Sequence, residues 1–381
     1  MTATSELSLS VLERVKEAWR PRFVANGIEP YDYEVTTQRI ARWEDWLPEW
    51  RRTAEEHVAA AEEAARAGHG ATAAHYKRLA AMCLHFGHFN VVEPESDWLA
   101  AQRRKAELFR DVLPYLDPPA ERVAIPFAGI AMPAHLRHPR DAERHPREAE
   151  RHPRKAEGSP RGAGRTPVVL YFSGLDSTKE EATTFEDVLL ARGLATVTFD
   201  GPGQGETWER MPGRVDWEKA ASAVVDFVEK RTDLDASRIV AVGVSLGGYL
   251  VMRSAALERR IRAAAGIGGR FDQSDRDLED PMHGPRFLHF WGVRTVAEAR
   301  PLMTASTLSG IIEKMDRPIL VVHGARDTLA TPENAHRIVE RTGGPATWVL
   351  YPEGNHVCNN IPHKYRPLVA DWLAEQVGLS M

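Results

Sequence analysis

The stretch Gly243-Val244-Ser245-Leu246-Gly247 decides the fold of this 381-residue chain. Residues 238–242 before it are apolar and β-branched, which is typical of a buried strand. Residues 248–257 after it have the apolar spacing of a helix. A serine between glycines at a strand-to-helix turn is the nucleophile elbow of an α/β-hydrolase. The turn is too sharp for a Cβ at the two glycine positions near the serine, and it pushes the serine Oγ out toward substrate.

An elbow needs a base and an acid that orients the base, and this fold supplies them in the order Ser, Asp or Glu, His. The predicted strand at 317–324 ends in a loop that carries Asp327, and the predicted strand at 346–351 is followed by a turn that carries His356. We therefore predict Ser245 as nucleophile, His356 as general base and then acid, and Asp327 as the residue that orients the imidazole.

Two alternatives concern the acid. Asp327 also has the position of a residue that caps the helix beginning near Pro332. Glu353 is the other candidate acid, but it precedes His356 too closely to approach the imidazole from another strand.

The oxyanion hole is predicted in the loop after an earlier apolar strand. In α/β-hydrolases this loop supplies one backbone N–H, and the residue after the nucleophile supplies the other. Gly174 lets the backbone turn toward substrate, which makes the amides of Leu175 and Leu246 the predicted donors. The alternative for this loop is an ordinary strand-to-helix turn capped by Ser177 or Thr178.

A glycine-rich loop, residues 200–206, follows another predicted strand. It has neither the G-x-G-x-x-G spacing nor the G-x-x-x-x-G-K-[ST] pattern of nucleotide-binding loops. We therefore predict no cofactor.

Composition limits the class of partner. The chain is 43% hydrophobic and 27% charged, as soluble globular proteins are, and its net charge of −5 gives no electrostatic case for nucleic acid. Two cysteines make no disulfide framework, which suits a reducing compartment. No signal segment or long apolar run is apparent. We predict a cytoplasmic enzyme with a small-molecule substrate and no membrane association.

The chain divides near residue 116. Residues 1–116 have helical periodicity and predict an N-terminal helical cap domain. Residues 117–381 alternate strands and helices, which predicts an α/β-hydrolase domain with a mostly parallel sheet and helices on both faces.

A low-complexity insert at about 137–165 interrupts the second domain. Its unit, Arg137-His138-Pro139-Arg140-Asp141-Ala142-Glu143, recurs nearly unchanged from Arg144 and from Arg151. The prolines and the lack of an apolar seam exclude a coiled coil. A metal site at His138, His145 and His152 does not fit this proline-broken, charge-mixed spacing. The insert is predicted to be a mobile, solvated extension, and no metal is predicted.

The aromatic segment 74–89 is the most informative part of the first domain. His85, Phe86 and Phe89 are predicted to line an aromatic pocket over the elbow. The alternative is a helix that packs on its neighbours. His85 and His88 have a possible metal spacing, but no acidic residue stands near them in the sequence.

Several motifs together resemble one family, that of 2,6-dihydroxypseudooxynicotine hydrolase, which includes FrsA-like esterases and the fungal hydrolases that shorten polyketide chains. They are His85-Phe86-Gly87, residues 174–181, residues 199–206 and Ser245-Leu246-Gly247-Gly248. The resemblance runs from about residue 70 to the end, apart from the insert. It implies a homodimeric serine hydrolase with a helical cap that cleaves a carbon–carbon bond next to a ketone.

The resemblance also implies site residues. The triad carries over onto Ser245, Asp327 and His356. A further acidic substrate contact in this family matches Glu279, whose alternative is a solvated loop residue. The chain departs from its relatives in the insert and at 281–291, so the shape of the pocket does not carry over.

Three other functions stay open. An ester or lactone hydrolase uses identical acylation chemistry, and a lyase or cyclase acting on a polyketide would use His356 without a covalent intermediate. A non-catalytic binding protein on a hydrolase scaffold is disfavoured because no triad member is missing.

Overall fold

The computed structural model describes residues 9–89, 91–92, 94–140 and 165–379. Most of the predicted insert, with His145 and His152, lies outside these residues. His138 is described, and its Nε2 lies 3.1 Å from Asp233 Oδ2.

One eight-stranded sheet organises the C-terminal part of the chain. Its strands are β1 (Ala120–Phe127), β2 (Ile130–Arg137), β3 (Thr166–Phe172), β4 (Ala195–Phe199), β5 (Leu234–Val244), β6 (Ile261–Ile267), β7 (Ile319–Gly324) and β8 (Ala346–Tyr351). The spatial order is β1-β2-β4-β3-β5-β6-β7-β8. The pairs β1–β2 and β2–β4 are antiparallel and the rest are parallel. The carboxyl ends of the parallel strands therefore share one edge.

Helices cover both faces of this sheet. They are α6 (Thr183–Leu190), α7 (Glu218–Glu229), α8 (Leu246–Leu257), α9 (Gly284–Trp291), α10 (Val296–Ala305), α11 (Pro332–Arg341) and α12 (Pro362–Gln376). Alternate strand residues enter two separate cores, as period-2 side-chain placement requires. Val240 and Val242 face α12, while Ile239 and Ala241 face α7 and α8. The predicted α/β-hydrolase fold is confirmed.

Five α-helices precede the sheet in the part of the chain that the structure describes, and we call them the helical cap. They are α1 (Leu9–Ala25), α2 (Pro30–Arg39), α3 (Trp46–Arg66), α4 (Gly70–His88) and α5 (Glu95–Val112). Their shared core is aromatic: Phe23 stacks on Phe86 with ring centroids 4.0 Å apart, and Trp46 and Trp50 are fully buried beside it.

The change from helix to strand falls where the sequence changes character. A short 3-10 helix ends at Tyr115 and β1 begins at Ala120, on either side of the predicted boundary at residue 116. The division into two domains stays a prediction. None of the helices in the described residues is both long and apolar enough to cross a bilayer.

Candidate active site

Ser245 stands at the turn between β5 and α8 with φ 56° and ψ −119°. This backbone conformation is unfavourable for a residue with a side chain, and the close packing of two glycines imposes it. A Cβ on Gly247 would lie 2.1 Å from the Phe172 carbonyl oxygen, and a Cβ on Gly243 would lie 2.1 Å from that of Gly247. The amide of Ser245 donates to the Ile267 carbonyl at 2.8 Å. The turn is therefore fixed by backbone contacts on both sides.

Three side chains meet at the carboxyl edge of the sheet. His356 Nε2 lies 2.8 Å from Ser245 Oγ, and His356 Nδ1 lies 2.8 Å from Asp327 Oδ2. The carboxylate accepts the Nδ1 proton, which leaves Nε2 able to accept the hydroxyl proton of the serine. The structure thus brings the three residues predicted as a triad into one hydrogen-bonded chain.

Backbone amides occupy one carboxylate oxygen of Asp327 and leave the other oxygen to accept from His356. Its Oδ1 accepts the amides of Leu329 and Ala330, at 2.9 and 2.8 Å. Burial opposes ionisation, but His356 and the Ala330 amide hold the pKa of this carboxyl below its usual range. It is therefore a carboxylate at neutral pH.

Neither alternative for the acid matches the contacts. Helix α11 is capped by Thr331, whose Oγ1 accepts the Asn334 amide at 3.3 Å. Glu353 is bound to Lys364 on α12.

A second histidine, which the sequence analysis missed, lies behind the acid. His323 Nε2 donates to the Ala330 carbonyl at 2.7 Å and lies 3.4 Å from Asp327 Oδ2. Burial lowers the pKa of His323, so the ring is neutral. Its contact with Ala330 fixes the loop whose amides bind Asp327. A polar residue inside the apolar strand β7 was the signal that could have revealed it.

The loop after β3 is held by its carbonyl oxygens. Gln204 Nε2 donates to the carbonyls of Ser173 and Gly174, both at 2.9 Å, and Arg286 Nη2 donates to that of Leu175 at 3.2 Å. The amides of Leu175 and Leu246 donate to no residue that the structure describes. Both leucines line the cavity beside Ser245, so two amides are available where a carbonyl oxygen would bind.

Gly174 lies directly against the elbow. A Cβ at this position would be 3.4 Å from Ser245 Cβ and 3.2 Å from Ser177 Oγ. The side chain of Ser177 accepts from Arg22 Nη2 at 2.9 Å, so it does not cap the following helix.

A cavity of about 480 Å³ opens above Ser245. Its floor is formed by the elbow and the His356 turn, and its wall by helix α1 of the cap together with the loop before α9. Residues that α1 contributes are Arg14, Val15, Ala18, Trp19 and Arg22. The volume suits a small organic molecule rather than a folded polypeptide.

Comparison with known proteins agrees with this geometry. The model of the prolyl oligopeptidase family matches residues 183–380, which is more than half of the chain. The chain belongs to the prolyl oligopeptidase family. It is therefore a hydrolase on the α/β-hydrolase fold.

Two relatives that match more than three quarters of this prolyl oligopeptidase family member are named as hydrolases. It is 32% identical over 364 residues to 2,6-dihydropseudooxynicotine hydrolase of Paenarthrobacter nicotinovorans, covering 92% of this chain and 90% of the relative. It is 35% identical over 347 residues to 20-hydroxy-prefusarin hydrolase of Gibberella moniliformis, covering 78% and 77%. The crystal structure of 2,6-dihydroxy-pseudo-oxynicotine hydrolase superposes with a TM-score of 0.80 at 31% identity, covering 94% of this chain and 95% of that one. The predicted resemblance to this group is confirmed.

The cap of this family member is joined to the hydrolase fold by Arg22. Its guanidinium binds Asp176 at 3.0 Å and Glu181 at 2.9 Å, and Glu181 also binds His85 Nε2 at 2.9 Å. No acidic partner stands near His85 in the sequence, because Glu181 is 96 residues away along the chain.

The predicted aromatic contacts to substrate are not at the cavity. His85, Phe86 and Phe89 are fully buried in the cap, behind α1. Phe86 and Phe89 lie against the guanidinium of Arg22, whose Cζ is 5.8 and 5.3 Å from their ring centroids. Apolar rings on α4 gain more by packing between helices than by facing an open cavity, so α1 and not α4 forms the wall.

Glu279 is also not at the cavity. It is exposed on the loop before α9, and its amide donates to Asp277 Oδ1 at 2.9 Å. The structure therefore does not bring it to Ser245.

Among the described residues, one group of carboxylates has the spacing of metal ligands; Asp200 and Glu206 belong to the glycine-rich loop after β4, and Glu180 lies before α6. Glu180, Asp200 and Glu206 approach one another, but Lys179 Nζ lies 2.6, 2.7 and 2.7 Å from them. The ammonium thus already satisfies these oxygens, and the loop serves to pack the sheet edge.

Proposed function

We propose that the protein is a serine hydrolase that cleaves a carbon–carbon bond next to a ketone in an aromatic or polyketide-type substrate. The observation that carries this proposal is the hydrogen-bonded chain Ser245–His356–Asp327 at the floor of the cavity. The resemblance to the 2,6-dihydroxypseudooxynicotine hydrolase family implies the carbon–carbon chemistry, and the match to that hydrolase extends over 92% of the chain.

Acylation begins at Ser245. Its Oγ forms a bond to the ketone carbon while the hydroxyl proton moves to His356 Nε2. Asp327 stabilises the imidazolium that results. The carbonyl oxygen becomes an oxyanion, and the unpaired amides of Leu175 and Leu246 donate to it.

The carbon–carbon bond then breaks. Its electron pair leaves with the departing carbon, which a neighbouring carbonyl or an electron-rich ring must stabilise as an enolate. His356 Nε2 returns its proton to that carbon, so the histidine is neutral again and Ser245 carries the acyl group.

Deacylation repeats the sequence with water. His356 takes a proton from water, the hydroxide oxygen bonds to the acyl carbon, and the ester bond to Oγ breaks. The proton returns to Ser245, which releases a carboxylic acid and restores the enzyme.

The test compares wild type with Ser245→Ala on a panel of aryl ketones, β-diketones and esters, with products identified by mass spectrometry. The proposal is supported if wild type converts a diketone into one carboxylic acid and one ketone and the variant does not. Diketone cleavage that survives the substitution contradicts Ser245 as nucleophile.

An ester or lactone hydrolase is the second candidate, because the amides beside Ser245 accommodate an ester oxyanion equally well. Activity on p-nitrophenyl esters far above that on any diketone would favour it. A lyase or cyclase would give rearranged product without a trapped acyl-enzyme.

We further propose a homodimer in the cytoplasm. The family resemblance implies the dimer, and the free thiols of Cys83 and Cys358, both buried, fit a reducing compartment. Light scattering on the purified protein tests the first point: twice the chain mass supports a dimer, and the single mass contradicts it.

A further inference from the structure

The cavity wall carries more positive than negative charge. Among the described residues that line it are five arginines and two carboxylates, Asp176 and Glu181. The arginines are Arg14, Arg22, Arg276, Arg326 and Arg366. A cavity with such an excess attracts an anion.

Two of these arginines already have all their guanidinium nitrogens engaged by protein groups. Arg22 forms ion pairs with both Asp176 and Glu181. Arg366 forms no ion pair among the described residues, but each of its guanidinium nitrogens donates a hydrogen bond: Nε to Tyr365 Oη at 3.3 Å, Nη1 to Thr184 Oγ1 at 2.9 Å and Nη2 to Asn26 Oδ1 at 2.8 Å. The positive charge that is left to bind an anion therefore belongs to Arg14 and Arg326, which are exposed, and to Arg276, which is not.

Arg276 stands apart because it is partly buried, has no ion pair and leaves one guanidinium nitrogen without a hydrogen bond among the described residues. Its Nη1 donates to the Leu329 carbonyl at 2.6 Å and its Nε to Gln273 Oε1 at 3.3 Å, while its Cζ lies 5.4 Å from the Phe287 ring centroid. Within the described part of the chain no carboxylate forms an ion pair with it, and Nη2 donates no hydrogen bond.

The neighbouring arginine shows the contrast. Arg270 also donates to the Leu329 carbonyl, at 3.4 Å, but it is ion-paired with Asp275 and does not line the cavity. Burial, together with the charge of Arg270, lowers the pKa of Arg276 to about 9, and the carboxylates of Asp327 and Asp275, which form no ion pair with it, offset this only in part.

We infer that Arg276 binds a carboxylate of the substrate through its free Nη2 edge, and that the natural substrates are keto acids rather than neutral ketones. This inference rests on the proposed function and names the substrate class for the same cavity. Arg326 and Arg14 are not needed for the contact; they add positive potential that draws an anion toward Arg276.

A structural role for Arg276 makes a different prediction. Its bond to Leu329 touches the loop whose amides bind Asp327, so a purely structural Arg276 would affect every substrate alike. A carboxylate-binding Arg276 changes the ratio between acidic and neutral substrates. That ratio is the measurement to make.

The experiment uses aryl β-diketones and aryl esters, each prepared as the free carboxylic acid and as its primary amide. For wild type we expect kcat/KM for the acid to exceed that for the amide, and added salt to reduce the difference because it screens charge. Arg276→Gln should lower the acid-to-amide ratio about 10- to 100-fold, the usual size of a hydrogen bond to a charged group.

Two variants accompany Arg276→Gln. Arg276→Glu should invert the preference, so that an amine-bearing analogue is favoured over the acid. Arg270→Gln is the matched control, since it removes an arginine bonded to the same carbonyl, and it should leave the ratio at its wild-type value. Thermal unfolding of each variant establishes that it is folded.

The outcomes separate this inference from the proposed function. Ser245-dependent cleavage with equal kcat/KM for acid and amide overturns the carboxylate contact and leaves the hydrolase intact. An equal fall in the ratio for Arg276→Gln and Arg270→Gln also overturns it. If no diketone is cleaved, calorimetry of Ser245→Ala with benzoylpropionate and with its amide still tests the carboxylate contact. Preferential binding of the acid that is lost when Arg276→Gln is added to Ser245→Ala supports the contact. Equal binding of the acid and the amide to Ser245→Ala refutes it.

Discussion

Arg22 of helix α1 holds both oxygens of the Glu181 carboxylate, with Nε–Oε1 and Nη2–Oε2 distances of 2.9 Å each. Burial disfavours both charges, but pairing with Asp176 and Glu181 raises the pKa of Arg22, and pairing with Arg22 and His85 lowers the pKa of Glu181. This bidentate pair fixes α1, and hence the cavity wall, to the loop that precedes α6.

Glu181→Gln should destabilise the protein. The substitution keeps the shape but leaves Arg22 with Asp176 alone, and removing one partner of a buried ion pair costs about 3 kcal/mol or more. Urea unfolding measures the change. The exposed carboxylate of Glu353 offers the control: Glu353→Gln should leave the unfolding midpoint where it is. Equal midpoints for Glu181→Gln and wild type would contradict a stabilising role for the pair.

Asp327→Asn should reduce kcat by about 10³- to 10⁴-fold with little change in folding. The amide group cannot accept the Nδ1 proton as the carboxylate does, so the imidazole takes the wrong tautomer and Nε2 no longer accepts from Ser245. Steady-state kinetics on the best substrate of the panel provide the measurement. Glu353→Gln, which removes the other candidate acid, should retain wild-type kcat; the reverse pattern would assign the acid to Glu353.

Gln204→Glu should lower kcat through the oxyanion loop. The new carboxylate cannot donate to the carbonyls of Ser173 and Gly174, and it would repel them, so the Leu175 amide loses its fixed direction. Loss of one oxyanion donor typically costs about 10²- to 10³-fold in kcat. Because Gln204 acts by positioning, KM should change much less than kcat. A rise in KM at constant kcat would point instead to substrate contact.

Acid should destabilise the protein by protonating carboxylates that are paired with Lys179, among them Glu206. Burial opposes the charge of Glu206, but Lys179 and Arg122 lower its pKa to about 2, against about 4.3 in an unfolded chain. A lowered folded-state pKa means that the stabilisation is complete above about pH 4.3 and is lost as the pH falls toward about 2. Urea unfolding across this range should show a falling free energy of unfolding, with a shallower slope for Glu206→Gln. Parallel slopes would show that Glu206 does not contribute.

The sequence was sufficient for those parts of the site that follow from strand order. Ser245, Asp327 and His356 each come after a strand of the parallel sheet, and parallel strands bring their carboxyl ends to one edge. The elbow glycines could also be predicted, because they belong to the turn that directly follows one of these strands. These residues needed only periodicity and position along the chain.

The cavity wall was not predictable in this way. The rings at Phe86 and Phe89 suit a pocket or a helix interior equally well, and only the packing of α1 over α4 decides between them. Arg22 carries no local signal, since its partners Asp176 and Glu181 are more than 150 residues away. Arg276 and Arg270 lie in the same loop. They differ because Asp275 forms an ion pair with Arg270 and not with Arg276.

The contact between Arg366 and Asn26 has a consequence for biosynthesis. Arg366 on α12 and Asn26 at the end of α1 are 340 residues apart in the chain, and both line the cavity. A ribosome makes α1 early and α12 late. A nascent chain can therefore form α1 long before it has this part of the cavity wall, which is complete only when α12 has emerged to meet α1.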